Sequence, residues 1–281
     1  MKRRQADRVA TVAVGDRQLR VAIRPGTGDG PPLLMCNGIG TPLEALEPFT
    51  SVLNPAIEVV RFDVPGVGGS PVPRLPYTIH CLARLIGGML SSLGYDRFDV
   101  LGISWGGGLA QQLALQYPRR CRRLVLAATS TGSLMIPARP SVLRHLSSPR
   151  RHRDPAHAAR IAGSIYGGAL RDHPELAEPI TSGLPRPVSR RGYLYQLTAS
   201  AGWTSLPLLR LIRQPTLILA GDDDPIIPLA NGRLMAALLP DARLHVYPDG
   251  HLGLLTRADE LASVVSDFLL AVEPGPSRAV Q

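Results

Sequence analysis

The sequence predicts an α/β fold: a mostly parallel, doubly wound sheet with a helical cap inserted after the sixth strand. Short apolar runs alternate with helix-like stretches over most of the 281 residues. The runs are apolar on both faces, which is typical of parallel strands covered by helices on both sides. Such an alternation favours a single sheet with right-handed crossovers. It stops between residues 134 and 211, and this interruption predicts the cap.

The strand candidates are short aliphatic runs: residues 9–14, PLLMCN (32–37), EVVRFDV (58–64), RFDVLG (97–102), RLVLAAT (123–129), PTLILAG (215–221) and ARLHVYP (242–248). Helical spacing of apolar residues predicts helices over residues 80–94, 107–118, 229–240 and 258–272. In the second of these stretches apolar and amide side chains recur at spacings of three and four, and Pro118 terminates the pattern.

The same pattern divides the chain into three parts. Residues 1–133 and 212–272 are predicted to form the core, residues 134–211 the helical cap, and residues 273–281 a flexible tail. A cap that interrupts the strands in this way is expected over the carboxyl edge of the sheet, where open α/β sheets bind ligands.

The charge is strongly positive, with 31 Lys and Arg against 22 Asp and Glu, and much of the excess lies in the cap. Residues 141–191 hold nine arginines and four acidic residues. A basic patch can attract nucleic acid, but no motif of interleaved aromatic residues accompanies this one. We therefore expect a solvated arginine-rich face and no nucleic-acid partner.

The sequence also predicts the cellular compartment and the state of the cysteines. No apolar stretch approaches the roughly 20 residues that a membrane span needs, and the basic start lacks the pattern of a secretory signal. A cytoplasmic protein is expected. None of the three cysteines, Cys36, Cys81 and Cys121, forms a C-x-x-C motif with another. They are therefore expected to be reduced, with no metal site and no disulfide.

A G-x-S-x-G motif, Gly102 to Gly106, lies between a strand candidate and a helix candidate. A serine on such a strand-to-helix turn is typical of an exposed nucleophile. The bend is strained, and a Cβ at either glycine would collide with the neighbouring helix or strand. The motif therefore predicts Ser104 as a nucleophile, although a plain glycine-rich turn would have the same composition.

A serine nucleophile needs a histidine base and an acid to orient it, and in this architecture they follow in the order serine, acid, histidine. The stretch GDDDP follows one strand candidate, and His251 follows the next. We expect His251 to be the base and Asp224 the orienting acid, with Asp222 as the alternative.

The same chemistry needs two N–H donors for the oxyanion. The N–H of Trp105, directly after the nucleophile, is one candidate. The second is expected from the loop after PLLMC, where Ile39 lies between two glycines. Asn37 and Gly38 of this loop are predicted to contact the substrate.

With these residues in order, the chain resembles the α/β-hydrolase fold family over nearly its whole length. More narrowly, it is similar to intracellular depolymerases of medium-chain-length poly(3-hydroxyalkanoate). The stretches that carry the similarity are CNGIG, FDVPGVGGSPVPRLPY, GISWGGGLAQQLALQYP, RRLVLAATSTG, ASAGWTSL, LAGDDDPIIPL and DGHLGLLTRA. Asn37, where many relatives of the fold have histidine, suits this subgroup. The resemblance implies a Ser104–His251–Asp224 triad, a polyester substrate and the surface of storage granules as a partner.

The expected reaction is ester hydrolysis through an acyl-enzyme, with no cofactor. The cap aromatics Tyr193, Tyr195 and Trp203 are candidates for an apolar acyl pocket, and they are equally compatible with an ordinary cap core. Three other functions stay open at this point. They are a small-ester carboxylesterase or a cofactor-free perhydrolase or haloperoxidase-like enzyme, a non-catalytic ligand sensor, and nucleic-acid binding through the arginines.

Overall fold

An eight-stranded sheet forms the centre of the protein. The computed structural model describes residues 7–148, 154–176 and 189–272. The strands are β1 (Arg8–Val14), β2 (Arg17–Arg24), β3 (Leu33–Cys36), β4 (Val59–Phe62), β5 (Phe98–Ile103), β6 (Cys121–Ala127), β7 (Thr216–Gly221) and β8 (Ala242–Tyr247).

The strands lie in the order β1-β2-β4-β3-β5-β6-β7-β8. From β4 to β8 all neighbours are parallel, whereas β1 pairs with β2 and β2 with β4 in antiparallel fashion. The predicted fold class, a mostly parallel sheet in an α/β fold, is therefore confirmed.

The N-terminal part of the sheet contains one strand more than the sequence predicts. The chain turns at Gly15, where φ is +61°, and returns as β2. Polar residues alternate with apolar ones in β2, so it has no continuous apolar run. An edge hairpin with this alternation is a normal start for a sheet that is parallel elsewhere.

Helices cover both faces of the sheet. They are α1 (Glu47–Val52), α2 (Ile79–Ser92), α3 (Trp105–Gln116), α4 (Pro140–Ser147), α5 (Pro155–Tyr166), α6 (Ala169–Asp172), α7 (Arg190–Ala201), α8 (Leu229–Leu238), α9 (Gly253–Thr256) and α10 (Ala258–Leu270). One buried apolar cluster joins the sheet to α2, α3 and α8. A second cluster joins the opposite face to α1 and α10. The two clusters are the two sides of a doubly wound sheet.

Between β6 and β7 the described part of the chain forms helices joined by loops, with one isolated β-bridge between Gly132 and Thr204. It contains α4 to α7 and two 3₁₀ turns, Pro174–Leu176 and Leu206–Leu211. Leu209, in the second turn, is buried in the same cluster as α3, so this end of the insertion packs onto the sheet. The domain boundaries at residues 134 and 211 stay a prediction. The predicted tail, residues 273–281, lies outside the described residues.

Among the described helices, none combines the length and the apolar character that crossing a membrane would require.

Candidate active site

Ser104 lies at a sharp bend between β5 and α3. Its backbone has φ 52° and ψ −122°, a conformation that a residue with a Cβ adopts only under strain. The end of β6 holds the bend: the Ser104 N–H donates to the carbonyl oxygen of Ala127 at 3.0 Å. The Thr129 hydroxyl donates to the Ser104 carbonyl oxygen at 2.6 Å. The serine side chain is thereby presented at the carboxyl edge of the sheet.

The glycines on either side of Ser104 allow very close backbone approach. A Cβ at Gly102 would overlap the carbonyl oxygen of Gly106, and a Cβ at Gly106 would overlap that of Cys36. The steric reason that the sequence suggested for these glycines is confirmed. They let α3 lie directly against the ends of β3 and β5.

The structure brings Ser104, His251 and Asp224 together. The His251 Nε2 atom lies 3.1 Å from Ser104 Oγ, and its Nδ1 atom lies 2.8 Å from Asp224 Oδ2. Both His251 and Asp224 are buried. Both contacts are hydrogen bonds when Nδ1 carries the proton and donates to the carboxylate. Nε2 is then free to accept the serine proton, which is the arrangement that activates a hydroxyl group.

Backbone groups hold the Asp224 carboxylate. Its Oδ1 atom accepts hydrogen bonds from the N–H groups of Ile226 and Ile227, each at 2.9 Å. This leaves Oδ2 for the histidine. Asp222, the alternative that the sequence left open, is exposed. Among the three consecutive aspartates, the geometry therefore favours Asp224 for contact with His251.

A cap segment, residues 166–169, connects the loops that carry the base and the acid. The carbonyl oxygen of Tyr166 accepts from the His251 N–H at 2.7 Å. The N–H of Gly168 donates to Asp223 Oδ2 at 2.7 Å. The N–H of Ala169 donates to Asp249 Oδ1 at 2.8 Å. No pattern in the sequence predicts this segment, because a Gly-Gly pair in a helical region carries no signal of what it approaches.

One predicted oxyanion donor, Trp105, follows the serine directly, and the other, Ile39, belongs to a loop that passes close to the serine. Within the described part of the chain, neither the Ile39 N–H nor the Trp105 N–H donates to a protein acceptor. Trp105 is the first residue of α3, where a helix leaves its N–H groups free. A Cβ built on Gly38 would lie 3.8 Å from the Ser104 Cβ, so the backbone of this loop passes close to the serine.

The side chain of Asn37 contacts the end of its own loop, and its contact with substrate stays a prediction. Its side-chain nitrogen donates to the carbonyl oxygen of Pro42 at 2.8 Å, and its Oδ1 atom is buried. The side chain thus ties the beginning of the loop to its end. We call residues 37–42 the oxyanion loop below.

Trp203 packs between α3 and the chain that precedes β7. It is buried in the main cluster, and its Nε1 atom donates to Gln112 Oε1 at 2.8 Å. Its ring packs on Gly108 of α3, because a Cβ there would lie 3.0 Å from the ring. These contacts favour core packing for Trp203, and its contact with substrate stays a prediction.

The two cap tyrosines are half-buried on α7. The Tyr195 ring meets the edge of the Tyr77 ring at 6.4 Å, and its hydroxyl group accepts from Arg191 at 3.0 Å. Tyr195 therefore faces the loop before α2. A contact of Tyr193 with substrate stays a prediction.

Two of the three cysteines are buried. Burial raises the pKa of the Cys36 thiol far above its ordinary range, and the same holds for Cys121. Cys81 is exposed on α2. In the part of the chain that the structure describes, no group of three or more His, Cys, Asp or Glu side chains could hold a metal ion.

Comparisons with known proteins agree with this geometry. A family model described as alpha/beta hydrolase fold matches residues 31–258. The chain belongs to this family. Poly(3-hydroxyalkanoate) depolymerase of Ectopseudomonas oleovorans is 51% identical over 259 residues, which cover 92% of this chain and 91% of that one.

Two solved structures resemble this α/β-hydrolase over almost its whole length. A hydrolase from Pseudomonas aeruginosa PA01 aligns with a TM-score of 0.75 and 28% identity, covering 94% of this chain and 98% of that one. The enol-lactonase from Burkholderia xenovorans LB400 aligns with a TM-score of 0.77 and 25% identity, covering 93% and 100%. The family and its relatives identify the protein as an enzyme, and its reaction class is ester hydrolysis.

The glycine before the serine can be tested by stability. Gly102→Ala is expected to lower the free energy of unfolding of this α/β-hydrolase by about 1–3 kcal/mol, because the new methyl group overlaps backbone that cannot move away. Gly30→Ala is the control, since a Cβ there meets open space. Urea unfolding followed by circular dichroism measures both. Equal midpoints for the two variants would contradict the close approach.

The choice of acid can be tested by kinetics. Asp224→Asn is expected to lower kcat about 10³- to 10⁴-fold, because an amide stabilises the wrong tautomer of His251. Asp222→Asn, which changes an exposed side chain in the same loop, is expected to keep the wild-type kcat. Hydrolysis of p-nitrophenyl butyrate reports both values. The reverse order of effects would make Asp222 the partner of the histidine.

Proposed function

We propose that this enzyme cleaves the ester bonds of medium-chain-length poly(3-hydroxyalkanoate), with Ser104 as nucleophile, His251 as base and Asp224 as orienting acid. The observation that carries the chemistry is the continuous chain of contacts, 3.1 Å from Ser104 to His251 and 2.8 Å from His251 to Asp224. The support for the polymer is the 51% identity with a poly(3-hydroxyalkanoate) depolymerase.

The first half of the reaction forms an acyl-enzyme. His251 Nε2 takes the proton of the Ser104 hydroxyl while Oγ attacks the ester carbonyl carbon. The electron pair of the C=O bond moves to the oxygen, which the N–H groups of Ile39 and Trp105 stabilise. The tetrahedral intermediate then expels the alcohol end of the chain. His251 gives the proton to the oxygen of this leaving alcohol.

The second half releases the acid. His251 removes a proton from water, and the resulting hydroxide attacks the acyl-enzyme carbonyl carbon. Collapse of this second intermediate frees Ser104, which regains its proton from His251. The product is a 3-hydroxy acid or a short oligomer. The Asp224 side chain orients His251 and stabilises the imidazolium that forms twice in the cycle.

A second candidate is a carboxylesterase for small esters, or a cofactor-free perhydrolase or haloperoxidase-like enzyme. The similarity to the enol-lactonase of Burkholderia xenovorans favours the small-ester enzyme. The same triad and the same donors would serve both. The two candidates differ in the substrate that enters, and the test therefore uses both substrates.

The place of action is part of the proposal. The resemblance to intracellular depolymerases favours a cytoplasmic location with attachment to storage granules. An insoluble polyester can be attacked only at its surface, so the enzyme would have to meet it there. Sedimentation of the enzyme with isolated amorphous granules, against a control without granules, measures this attachment.

The substrate test is the clearing of a turbid suspension of amorphous medium-chain polymer. Wild-type enzyme is expected to clear it and to hydrolyse p-nitrophenyl esters. Ser104→Ala is expected to lose both activities by about 10³-fold or more, because the nucleophile is gone. Ester hydrolysis without clearing by the wild type would support the small-ester enzyme. Equal clearing by both proteins would remove Ser104 from the mechanism.

A further inference from the structure

Gln196, on the cap helix α7, contacts both segments that carry the predicted oxyanion donors. Its side chain is almost completely buried, at 1% exposure. We infer that Gln196 is a positioning residue for the oxyanion hole. This inference rests on the proposed function, since it assumes that the N–H groups of Ile39 and Trp105 bind the developing negative charge.

The first contact is with the oxyanion loop. The N–H of Gly40 donates to Gln196 Oε1 at 2.8 Å, across 156 residues of sequence. Gly40 has a φ of +67° and is buried, so its N–H needs a partner inside the protein. The preceding residue is Ile39, one of the two donors. Holding the peptide between Ile39 and Gly40 restricts the direction in which the Ile39 N–H can point.

The second contact is with the other donor. The indole Nε1 of Trp105 donates to the main-chain carbonyl oxygen of Gln196 at 2.9 Å. Trp105 also supplies the second predicted N–H, as the first residue of α3. One residue of the cap therefore holds the two halves of the oxyanion hole at a fixed separation. Pre-set donors are effective because they need no rearrangement when the charge develops.

The helix that carries Gln196 is itself tightly seated. A Cβ at Gly192, one turn earlier on α7, would overlap the carbonyl oxygen of Gly66. Arg191, on the same turn, donates to the carbonyl oxygen of Arg74 at 3.2 Å. These contacts attach α7 to the loop after β4. Gln196 is thus anchored independently of the loop that it holds.

A buried glutamine can also serve only as packing, and the chain offers a matched control for that role. Gln112 on α3 is buried, and its Oε1 accepts one hydrogen bond from an indole, that of Trp203 at 2.8 Å. Its hydrogen bond reaches neither the oxyanion loop nor Trp105. Replacing either glutamine by methionine keeps the volume and removes one acceptor.

The test compares Gln196→Met with Gln112→Met in the full-length enzyme, using p-nitrophenyl butyrate. Gln196→Met is expected to lower kcat about 10- to 100-fold with KM within about twofold, because the oxyanion loop with its Ile39 N–H loses a hydrogen bond while ground-state binding of the substrate is unchanged. Gln112→Met is expected to keep the wild-type kcat. Thermal unfolding of both variants separates loss of stability from loss of rate.

A second measurement follows the oxyanion directly. A p-nitrophenyl phosphonate forms a stable tetrahedral adduct on a serine nucleophile, and its rate of adduct formation is expected to fall in parallel with kcat in Gln196→Met only. If Gln196→Met does not fold, Trp105→Phe removes the other contact and keeps the backbone N–H. Its kcat is expected to fall about threefold or more at unchanged KM.

Three results would overturn the inference: equal kcat losses in the two glutamine variants, a wild-type kcat in folded Gln196→Met, or a raised KM at unchanged kcat. If Gln196→Met does not fold, a wild-type kcat in Trp105→Phe would overturn it. Failure of the proposed function itself would be seen elsewhere, as hydrolysis that persists in Ser104→Ala. The two failures are therefore distinguishable.

Discussion

The site depends on a strained backbone at one residue. Ser104 has a φ of 52°, and this conformation turns its hydroxyl group out of the sheet and toward His251. The strain persists because the surrounding structure leaves no room for relaxation. The carbonyl of Ala127 holds the serine N–H, and Gly106 allows α3 to lie directly on the end of β3. The order of the central strands therefore sets the position of the serine.

The cap contributes to the site as directly as the sheet does. Tyr166 accepts the main-chain hydrogen bond of His251, and Gln196 accepts that of Gly40. Without these contacts the N–H groups of His251 and Gly40 would lack these hydrogen-bond acceptors. Both acceptors come from segments that are distant in sequence. A cap that only covered the site would not need such bonds. Its hydrogen bonds to the loop of His251 and to the oxyanion loop make it a structural part of the candidate site.

Most of the site could be predicted because its residues follow a rule of position. The carboxyl ends of parallel strands meet at one edge, so residues after β5, β7 and β8 are brought together whatever lies between them. Ser104, Asp224 and His251 obey this rule. The hydrogen bonds of Asn37 with Pro42 and of Trp203 with Gln112 follow no such rule, because residue type does not say which way a polar or aromatic side chain points.

The sequence by itself determined the α/β fold, the turn that carries Ser104 and the order of serine, acid and base, since all three are written in local patterns of apolar residues, glycines and strand ends. Tertiary structure alone decided which aspartate meets His251, that the residues around Gly168 hold the base and acid loops, and that Gln196 reaches Gly40. These contacts join segments up to 156 residues apart. A hydrogen bond between residues so far apart in sequence depends on the packing of whole helices. No local pattern of residues can predict it.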